Sequence, residues 1–262
     1  MIDMNTVVGT HDLALIVLDT LRYDVATDEM RAGRTPNFAR LIPNGWEQRH
    51  SPGTFTFASH TAFFAGFLPT PARPGTHQRL LALGFEGSET IAPNTCVLEG
   101  ATIVEGLAAR GYHTICIGGV GFFNLKNPLG NVLPALFAER HWSPSIGVAD
   151  PHSFENQIAI VERSLGALAN DQRAFTFVNV SALHQPNHFY LEGGEARDSV
   201  ASHAAALRYI DRNIPRLVAA LRPHTFIIIC SDHGTLYGED GYVGHRVAHP
   251  IVTTVPYAEI IQ

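Results

Sequence analysis

The chain has 262 residues, of which 45 % are hydrophobic and 16 % are charged, and its formal net charge is −6 with neutral histidines. This length and composition predict one sizeable buried core and exclude a largely disordered chain. Because no run of lysine or arginine is present, a surface that coats nucleic acid is disfavoured.

The first predicted element is the apolar run at residues 13–18, which has the length and two-sided apolarity of a buried parallel strand. Without a preceding basic segment, this run is too short for a signal peptide or a membrane span. Cys96, Cys116 and Cys230 are widely spaced among apolar neighbours, as in a reducing compartment. We therefore expect a cytoplasmic protein with no membrane partner.

The remaining elements alternate between helix and strand. Thr56 begins a short apolar helix that Gly66 closes. The other predicted elements are, in chain order, a helix opened by the capping box at residues 102–105, a strand at 113–117, a helix with its apolar stripe from Ile158 to Leu168, a strand at 175–180, a helix with its stripe from Val200 to Leu221, and a strand at 225–229.

This alternation predicts an α/β fold, a three-layer sandwich with a mostly parallel central sheet flanked by helices. We expect a single domain over residues 1–262. Loop or small cap segments are expected around residues 68–99 and 120–153, because these stretches are rich in Gly and Pro and lack a clean period.

Polar side chains follow three of the predicted strands. Asp19 follows the first, His184 and His188 follow the strand at 175–180, and Asp232 with His233 follows the last. Ligands of open parallel sheets bind beyond the carboxyl ends of the strands, so we expect the active site there. A single aspartate in such a place is usually a turn or helix cap, but three sites in register favour a function.

The tetrapeptide at residues 231–234, Ser-Asp-His-Gly, is the most informative motif. Asp232 and His233 supply a carboxylate oxygen and an imidazole nitrogen, a pair suited to Zn²⁺ or Mn²⁺. Gly234 allows the sharp turn that lets both side chains face one point. Taken alone, the tetrapeptide is equally compatible with an ordinary polar turn.

Thr56 has two compatible interpretations. A threonine at a helix start is normally an N-cap. The same position aims its hydroxyl, together with the positive end of the helix dipole, at an incoming anion. Coordination to a metal would lower the pKa of that hydroxyl and make it a nucleophile.

Several of these segments together resemble the alkaline phosphatase superfamily, closest to its sulfatase-like and phosphodiesterase-like branches. The segments that carry the resemblance are residues 15–24, the sequence TPNFARL at 35–41, residues 56–69, residues 102–119, SDHG at 231–234 and the loop at 238–241. They follow the order of the family over nearly the whole chain.

The resemblance implies that Asp19, Asp232 and His233 are metal ligands and that Thr56 bridges metal and substrate. It also implies that His60 braces the site from behind the ligands.

Three charged or titratable side chains have roles at the edge of the site. The resemblance aligns His245 with a lysine that contacts the anion in sulfatases. Arg22 and Arg246 are the nearby cations that can assist, although Arg22 is better placed as a structural partner of Asp24.

Several residues differ from the family pattern, and these differences restrict the reactions that we expect the chain to catalyse. Threonine cannot mature to the formylglycine that classical sulfatases need, so Thr56 disfavours a classical sulfatase. Thr20 stands where sulfatases often carry a second aspartate, and Gly118-Gly119 replaces a pair that usually ends in lysine.

Four histidines leave open the question of whether the chain binds a second metal. His184 and His188 are four residues apart, and His245 and His249 repeat that interval. These side chains can bind a second metal, contact the substrate, or be ordinary loop histidines. His184, His188 and His245 are also candidates to protonate a leaving group.

We therefore expect a metal-dependent hydrolase or transferase of phosphate esters that forms a phospho-threonine at Thr56. The alternatives are a sulfate-ester hydrolase of the same fold and a metal- or anion-binding protein without catalysis. The expected cofactor is Zn²⁺ or Mn²⁺, one ion or two, and the expected partner is a small-molecule ester. Nothing in the sequence indicates an oligomeric state.

Overall fold

The structure is a computed structural model, and it describes residues 2–66 and 102–262. The cap segment predicted at residues 68–99, and Cys96 within it, lie outside the described residues. The strands in the described ranges are β1 (Asp12–Leu18), β2 (Glu47–His50), β3 (His113–Ile117), β4 (Glu139–His141), β5 (Ala174–Val180), β6 (Thr225–Cys230), β7 (Leu236–Tyr237), β8 (Val243–Gly244) and β9 (Thr254–Ile261).

The helices of the same ranges differ widely in length. They are α1 (Met4–Val7), α2 (Tyr23–Arg31), α3 (Pro36–Leu41), α4 (Thr56–Ala65), α5 (Ile103–Ala109), α6 (Pro128–Val132), α7 (Ser153–Gly166), α8 (Val200–Ala220) and α9 (Pro250–Thr253). Short 3₁₀ turns lie at Gly121–Phe123, Pro134–Leu136, Pro144–Ile146, Ser181–Leu183, His188–Tyr190 and Glu239–Gly241. None of the helices described is long and apolar enough to cross a membrane.

One sheet of seven strands organises the described part of the chain, in the order β2-β9-β6-β1-β5-β3-β4. The five strands from β6 to β4 are parallel, and β9 runs antiparallel to both β6 and β2. The predicted α/β sandwich with a mostly parallel sheet is therefore confirmed.

Alternate residues of the central strands enter two different apolar cores. In β1, Ile16 and Leu18 face the core that α7 and α8 cover, whereas Leu13 and Val17 face the core on the side of α4 and α5. Successive side chains of a strand point to opposite faces, so a strand with helices on both sides is apolar throughout. This explains the continuous apolar run.

The predicted start of α5 and the predicted end of α4 have the expected capping chemistry, whereas Thr56 is the first residue of α4 and not its N-cap. Thr102 and Glu105 form a complete capping box at the start of α5. The α4 helix ends at Gly66, whose φ of 77° is the left-handed conformation that glycine adopts without strain.

The segment at residues 120–153, predicted as loop or cap, contributes more than a connection. It contains α6 and the edge strand β4, which pairs with β3. The β4 sequence is Glu-Arg-His and has no apolar alternation, because this short strand lies at the sheet edge.

Candidate active site

The strand register brings the polar residues at the strand ends to one face of the sheet. Val17 of β1 lies opposite Asn179 of β5 on one side and Cys230 of β6 on the other. Asp19 and Asp232 each follow by two residues, and side chains two residues apart along an extended chain share a face. The two carboxylates and the Asn179 amide therefore meet on the face that α4 covers.

Asp19, Asp232 and His233 form a compact buried group. Each offers one ligand atom, and these atoms all lie within 4.8 Å of one another. Within the described residues, no other group of three histidines, cysteines or acids meets this test.

Each of the two carboxylates has one committed and one free oxygen. The Oδ1 atom of Asp232 accepts from the backbone N–H groups of Thr20 and His233, at 3.2 and 3.0 Å. The Oδ2 atom of Asp19 accepts from Asn179. Within the described residues, Asp19 Oδ1 and Asp232 Oδ2 are buried without a hydrogen-bond partner. Such orphaned oxygens are costly unless a cation or proton joins them.

The pKa values of Asp19 and Asp232 also indicate that a proton or a cation joins the two carboxylates. Burial and the neighbouring Asp232 raise the pKa of Asp19 to about 6, and burial raises the pKa of Asp232 to about 7. In the part of the chain that the structure describes, neither carboxylate is paired with a lysine or arginine. The donor set of two carboxylate oxygens and one imidazole nitrogen fits a divalent metal such as Zn²⁺ or Mn²⁺.

His233 is oriented with one nitrogen available to the group. Its Nδ1 lies 2.9 Å from the carbonyl oxygen of Gly234, an acceptor, so Nδ1 carries the proton. The unprotonated Nε2 lies 3.3 Å from Asp232 Oδ2 and 3.3 Å from Thr56 Oγ1. Burial lowers the pKa of His233, which favours the neutral form that binds metals.

Thr56 is the first residue of α4, and its buried hydroxyl reaches the same group. Its Oγ1 lies 3.5 Å from Asp19 Oδ2, in addition to the contact with His233. The preceding residue, Phe55, provides no side-chain cap for α4. The positive end of the helix dipole is therefore directed at this site without a competing side-chain acceptor from that position.

His60 lies one turn along α4 and is completely buried. Its Nδ1 donates to the carbonyl oxygen of Thr56 at 2.8 Å and lies 3.7 Å from Asp232 Oδ2. Its ring is surrounded by the rings of Phe63, Phe64, Phe123 and Phe177. Burial lowers the pKa of His60 to about 3, so this imidazole is neutral and holds the first turn of α4.

The backbone around Asp232 is fixed from several sides. The hydroxyls of Ser51 and Ser59 both donate to the Asp232 carbonyl oxygen, which joins α4 to the end of β6. Thr20, whose N–H donates to Asp232 Oδ1, has a φ of 66°, a strained value for a β-branched residue. A Cβ atom on Gly234 would lie 2.1 Å from the carbonyl oxygen of Ile251, so only glycine fits there.

Asn179 belongs to the site although the sequence analysis did not select it. It is buried in β5, and its Nδ2 donates to Asp19 Oδ2 at 2.9 Å. The signal that would have found it is strand parity: an amide stands where the alternation places a residue on the same face as Phe175 and Phe177.

His184 and His245 flank the group formed by Asp19, Asp232 and His233. The His245 ring lies 4.6 Å from the His233 ring and 5.8 Å from the His184 ring, centroid to centroid. Burial, together with these two imidazoles and Arg246, lowers the pKa of His245 to about 3. His245 is therefore neutral at pH 7. The Nδ1 of His184 is occupied by the carbonyl oxygen of Gln185 at 2.6 Å.

His188 and His249 are held elsewhere. His188 Nδ1 lies 3.3 Å from Asp198, and His249 Nε2 lies 3.0 Å from Asp240. Each therefore has an acidic neighbour of its own, and neither joins the group formed by Asp19. The four-residue interval that suggested a second metal does not align side chains here, because these residues lie in loops and 3₁₀ turns.

The two arginines also differ in their surroundings. Arg22 forms ion pairs with Asp24 and Glu239, so its charge is neutralised locally. Arg246 is exposed and has no ion pair within the described residues. Its backbone N–H donates to the Thr54 carbonyl oxygen at 2.7 Å, two residues before Thr56.

Several solved structures share the fold. The C-terminal periplasmic domain of phosphoethanolamine transferase EptC from Campylobacter jejuni superposes with a TM-score of 0.60 at 17 % identity, covering 95 % of this chain and 78 % of that chain. The corresponding domain of EcEptC from Escherichia coli, solved in complex with Zn, gives 0.63 at 12 % identity, covering 97 % and 74 %. A protein of the alkaline phosphatase superfamily from Vibrio parahaemolyticus gives 0.61 at 18 %, covering 97 % and 60 %.

The sequence matches a curated relative and a family. The phosphopentomutase of Methylobacterium sp. (strain 4-46) is 29 % identical over 136 residues, which covers 52 % of this chain and 27 % of that protein. The match thus spans about a quarter of that relative. The Sulfatase family model matches residues 11–257. The sulfatase-like part of the resemblance seen in the sequence is confirmed: the chain belongs to the Sulfatase family.

Proposed function

We propose that the chain is a metal-dependent enzyme that cleaves or transfers phosphate esters with Thr56 as its nucleophile. The observation that carries the proposal is the contact of the Thr56 hydroxyl with Asp19 and with His233, whose atoms belong to one group of possible metal ligands. A non-catalytic metal binder has no need for a hydroxyl at this point.

Asp19, Asp232 and His233 would hold the metal, and Thr56 Oγ1 would complete the set. The fit rests on the orphaned buried oxygens of the two carboxylates and on the unprotonated Nε2 of His233. A divalent cation supplies positive charge that lowers the pKa of a hydroxyl and polarises a phosphoryl oxygen. The related domain solved with Zn supports zinc as the first metal to test.

In the proposed reaction, the Thr56 hydroxyl gives up its proton to solvent and its Oγ attacks the phosphorus in line with the leaving oxygen. The bond from phosphorus to the leaving oxygen breaks as the phospho-threonine forms. Water or an acceptor alcohol then takes the phosphoryl group from Thr56, which regenerates the hydroxyl. His60 holds the backbone of Thr56, so that the nucleophile keeps its position through both steps.

The two flanking imidazoles have different roles in this proposal. Neutral His245 would donate a hydrogen bond to a phosphoryl oxygen, with Arg246 adding positive charge at the rim. His184 is the candidate that carries the proton to the leaving oxygen, since imidazole is the usual proton carrier near neutral pH. His188 is not given this role, because it is bound to Asp198.

Phosphate is favoured over sulfate because threonine cannot form the aldehyde of classical sulfatases. The phosphoethanolamine transferases and the phosphopentomutase that the chain is similar to also act on phosphoryl groups by name. Sulfate-ester hydrolysis remains the second candidate, supported by the family match.

A cytoplasmic location remains a prediction from the buried cysteines; the periplasmic descriptions apply to the solved neighbours.

The test compares hydrolysis of p-nitrophenyl phosphate, bis-p-nitrophenyl phosphate and p-nitrophenyl sulfate by protein loaded with Zn²⁺ or Mn²⁺. We expect turnover of a phosphate ester, a decrease of at least about 10³-fold in Thr56→Ala, and partial activity in Thr56→Ser, which keeps the hydroxyl. Rapid acid quenching should trap a phosphorylated Thr56 peptide, detectable by mass spectrometry, and would also detect transfer to an acceptor.

Three results would redirect the proposal. Turnover of the sulfate ester alone would favour the sulfatase-like alternative. Full activity in Thr56→Ala would exclude Thr56 as the nucleophile. An absence of both turnover and phospho-threonine in metal-loaded protein would favour the non-catalytic binder.

A further inference from the structure

The Asn179 side chain lies between the proposed metal ligand Asp19 and the glycine-rich loop after β3. Asn179 is fully buried within β5, the strand that pairs with both β1 and β3. Burial of an amide without full hydrogen bonding costs free energy. The hydrogen-bond partners of Asn179 therefore indicate its role.

The orientation of this amide follows from its partners. The backbone N–H of Val120 can only donate, and it lies 3.1 Å from Asn179 Oδ1. The opposite end of the amide is therefore the NH₂ group, which donates to Asp19 Oδ2 at 2.9 Å. A flipped amide would bring two donors together at Val120 and two acceptors together at Asp19.

The backbone of Asn179 is fixed as firmly as its side chain. Gln157 Nε2 donates to the carbonyl oxygens of both Asn179 and Gly118, at 2.6 and 3.0 Å. A Cβ atom on Gly119 would lie 2.3 Å from the Asn179 carbonyl oxygen, so glycine permits this close approach of the loop. These contacts hold the loop against β5, whereas the side-chain amide that reaches Asp19 has its own hydrogen bond from Val120 and lies on a strand paired on both sides.

The hydrogen bond from Asn179 gives the two carboxylate oxygens of Asp19 different surroundings. Oδ2 accepts from Asn179 and contacts the Thr56 hydroxyl, whereas Oδ1 is buried without a partner within the described residues. We propose that Asn179 is a positioning residue, which holds Asp19 Oδ2 and so leaves Oδ1 as the single metal-binding oxygen. This inference rests on the proposed function, because it requires a metal at Asp19.

A variant of Gln157 is the control that distinguishes a positioning role of Asn179 from a purely structural one. Asn179→Leu removes two side-chain hydrogen bonds, one of them to Asp19. Gln157→Leu also removes two hydrogen bonds at the same loop, but both of its acceptors are backbone carbonyls and Asp19 is untouched. A purely structural role for Asn179 predicts similar behaviour of the two variants.

The experiment measures Zn²⁺ binding to metal-free protein by competition with a chelating dye, and the visible spectrum of the Co²⁺ form. We expect Asn179→Leu to bind Zn²⁺ about 10- to 100-fold more weakly and to shift the Co²⁺ bands, as for lost partners of metal ligands. Gln157→Leu should lower the melting temperature yet bind Zn²⁺ within about threefold of the wild type, with unchanged Co²⁺ bands.

The outcomes distinguish this inference from the proposed function. Wild-type protein that binds no Zn²⁺, Mn²⁺ or Co²⁺ would overturn both. Metal-binding wild type together with equal Zn²⁺ affinity and an unchanged spectrum in Asn179→Leu would overturn the inference alone. If that variant does not fold, a crystal structure of the wild type with Co²⁺ decides: coordination through Oδ1 of Asp19 supports the inference, and coordination through both oxygens overturns it.

Discussion

At the scale of single residues, the site is defined by charges that have no counter-charge in the described part of the chain. Asp19 and Asp232 are both completely buried, and the shortest ion-pair contacts of Asp232 are with histidines whose pKa values are lowered. A protein keeps such a pair only where the structure over-determines it, which is the usual condition of a functional site.

The first prediction concerns the pH dependence of stability in the metal-free protein. The folded-state pKa values of about 6 for Asp19 and about 7 for Asp232 lie above the ordinary aspartate value of 3.8. At this pair the folded state therefore binds more protons than the unfolded state, so the contribution of the pair to stability falls as the pH rises through the folded-state pKa values. Between pH 5 and pH 8, the pair contributes a loss on the order of 2 kcal/mol to the free energy of urea unfolding. Buried His60 and His245, whose pKa values are lowered, contribute in the opposite direction, so the effect of the pair is measured as a difference between the wild type and a variant that lacks it.

Asp232→Asn is the control for this prediction. Asparagine is neutral at every pH, so the free energy of unfolding of the variant, relative to that of the wild type, should rise between pH 5 and pH 8. Parallel pH profiles of the two proteins would refute the assignment of the pH dependence to this pair.

Residues that define chemistry could be selected from the sequence because they interrupt apolar runs at the strand ends. Asp19, Asp232 and His233 follow such runs directly, and the structure brings them together. Asn179 escaped selection because it lies inside a strand. His249 was selected by interval alone, and an interval has little meaning where the chain is not helical.

At the scale of elements, the close contact of Gly234 with α9 fixes the loop that carries Asp232 and His233. The backbone N–H of Gly234 donates to the Val252 carbonyl oxygen at 2.8 Å, and the neighbouring Ile251 carbonyl leaves no room for a side chain. The loop can be held this closely only without a Cβ atom.

The next prediction is that Gly234→Ala destabilises the protein by roughly 2 kcal/mol or more and lowers ester turnover, because the backbone has to move. The matched control is Gly166→Ala at the end of α7, where an added Cβ meets no atom within 4 Å. That change should stabilise the protein by about 0.4–1 kcal/mol without affecting turnover. Urea unfolding measures both effects, and equal stability of the two variants would contradict the steric argument.

The strands that the sequence predicted are those buried on both faces. β1, β5 and β6 read as continuous apolar runs, because helices cover both sides of the central sheet. The edge strand β2 is exposed along its whole length and β4 is only partly buried, so neither shows a periodic apolar pattern. The antiparallel β9 was also missed, since its burial alternates irregularly.

At the scale of the whole molecule, the fold could be predicted because separate motifs occur in family order. Each motif marks the end of a strand or the start of a helix, and together these determine the sheet and its active edge. Both described ranges contribute strands to the seven-stranded sheet. The substrate could not be predicted, because the family fold supports several transfer reactions.

The final prediction is that binding of Zn²⁺ stabilises the whole fold. A ligand that binds only the folded state contributes about 2.7 kcal/mol at a concentration of 100 Kd. For a chain of this size, that corresponds to a rise of about 5–10 °C in melting temperature, measured by calorimetry before and after chelation. Thr56→Ala should keep most of this rise and Asp19→Asn should lose it. An equal rise in Asp19→Asn would place the metal elsewhere.

The hydrogen bonds of Ser51 and Ser59 to one carbonyl of Asp232 have a consequence for how new specificities arise. They join the helix that carries the proposed nucleophile to a proposed metal ligand in one buried unit, whereas Arg246 lies on the exposed surface beside His245. Mutations at that surface can change which molecule is admitted while the reactive centre keeps its geometry. A protein with this arrangement can acquire new substrates through substitutions at its exposed surface, while the buried residues of the site stay unchanged.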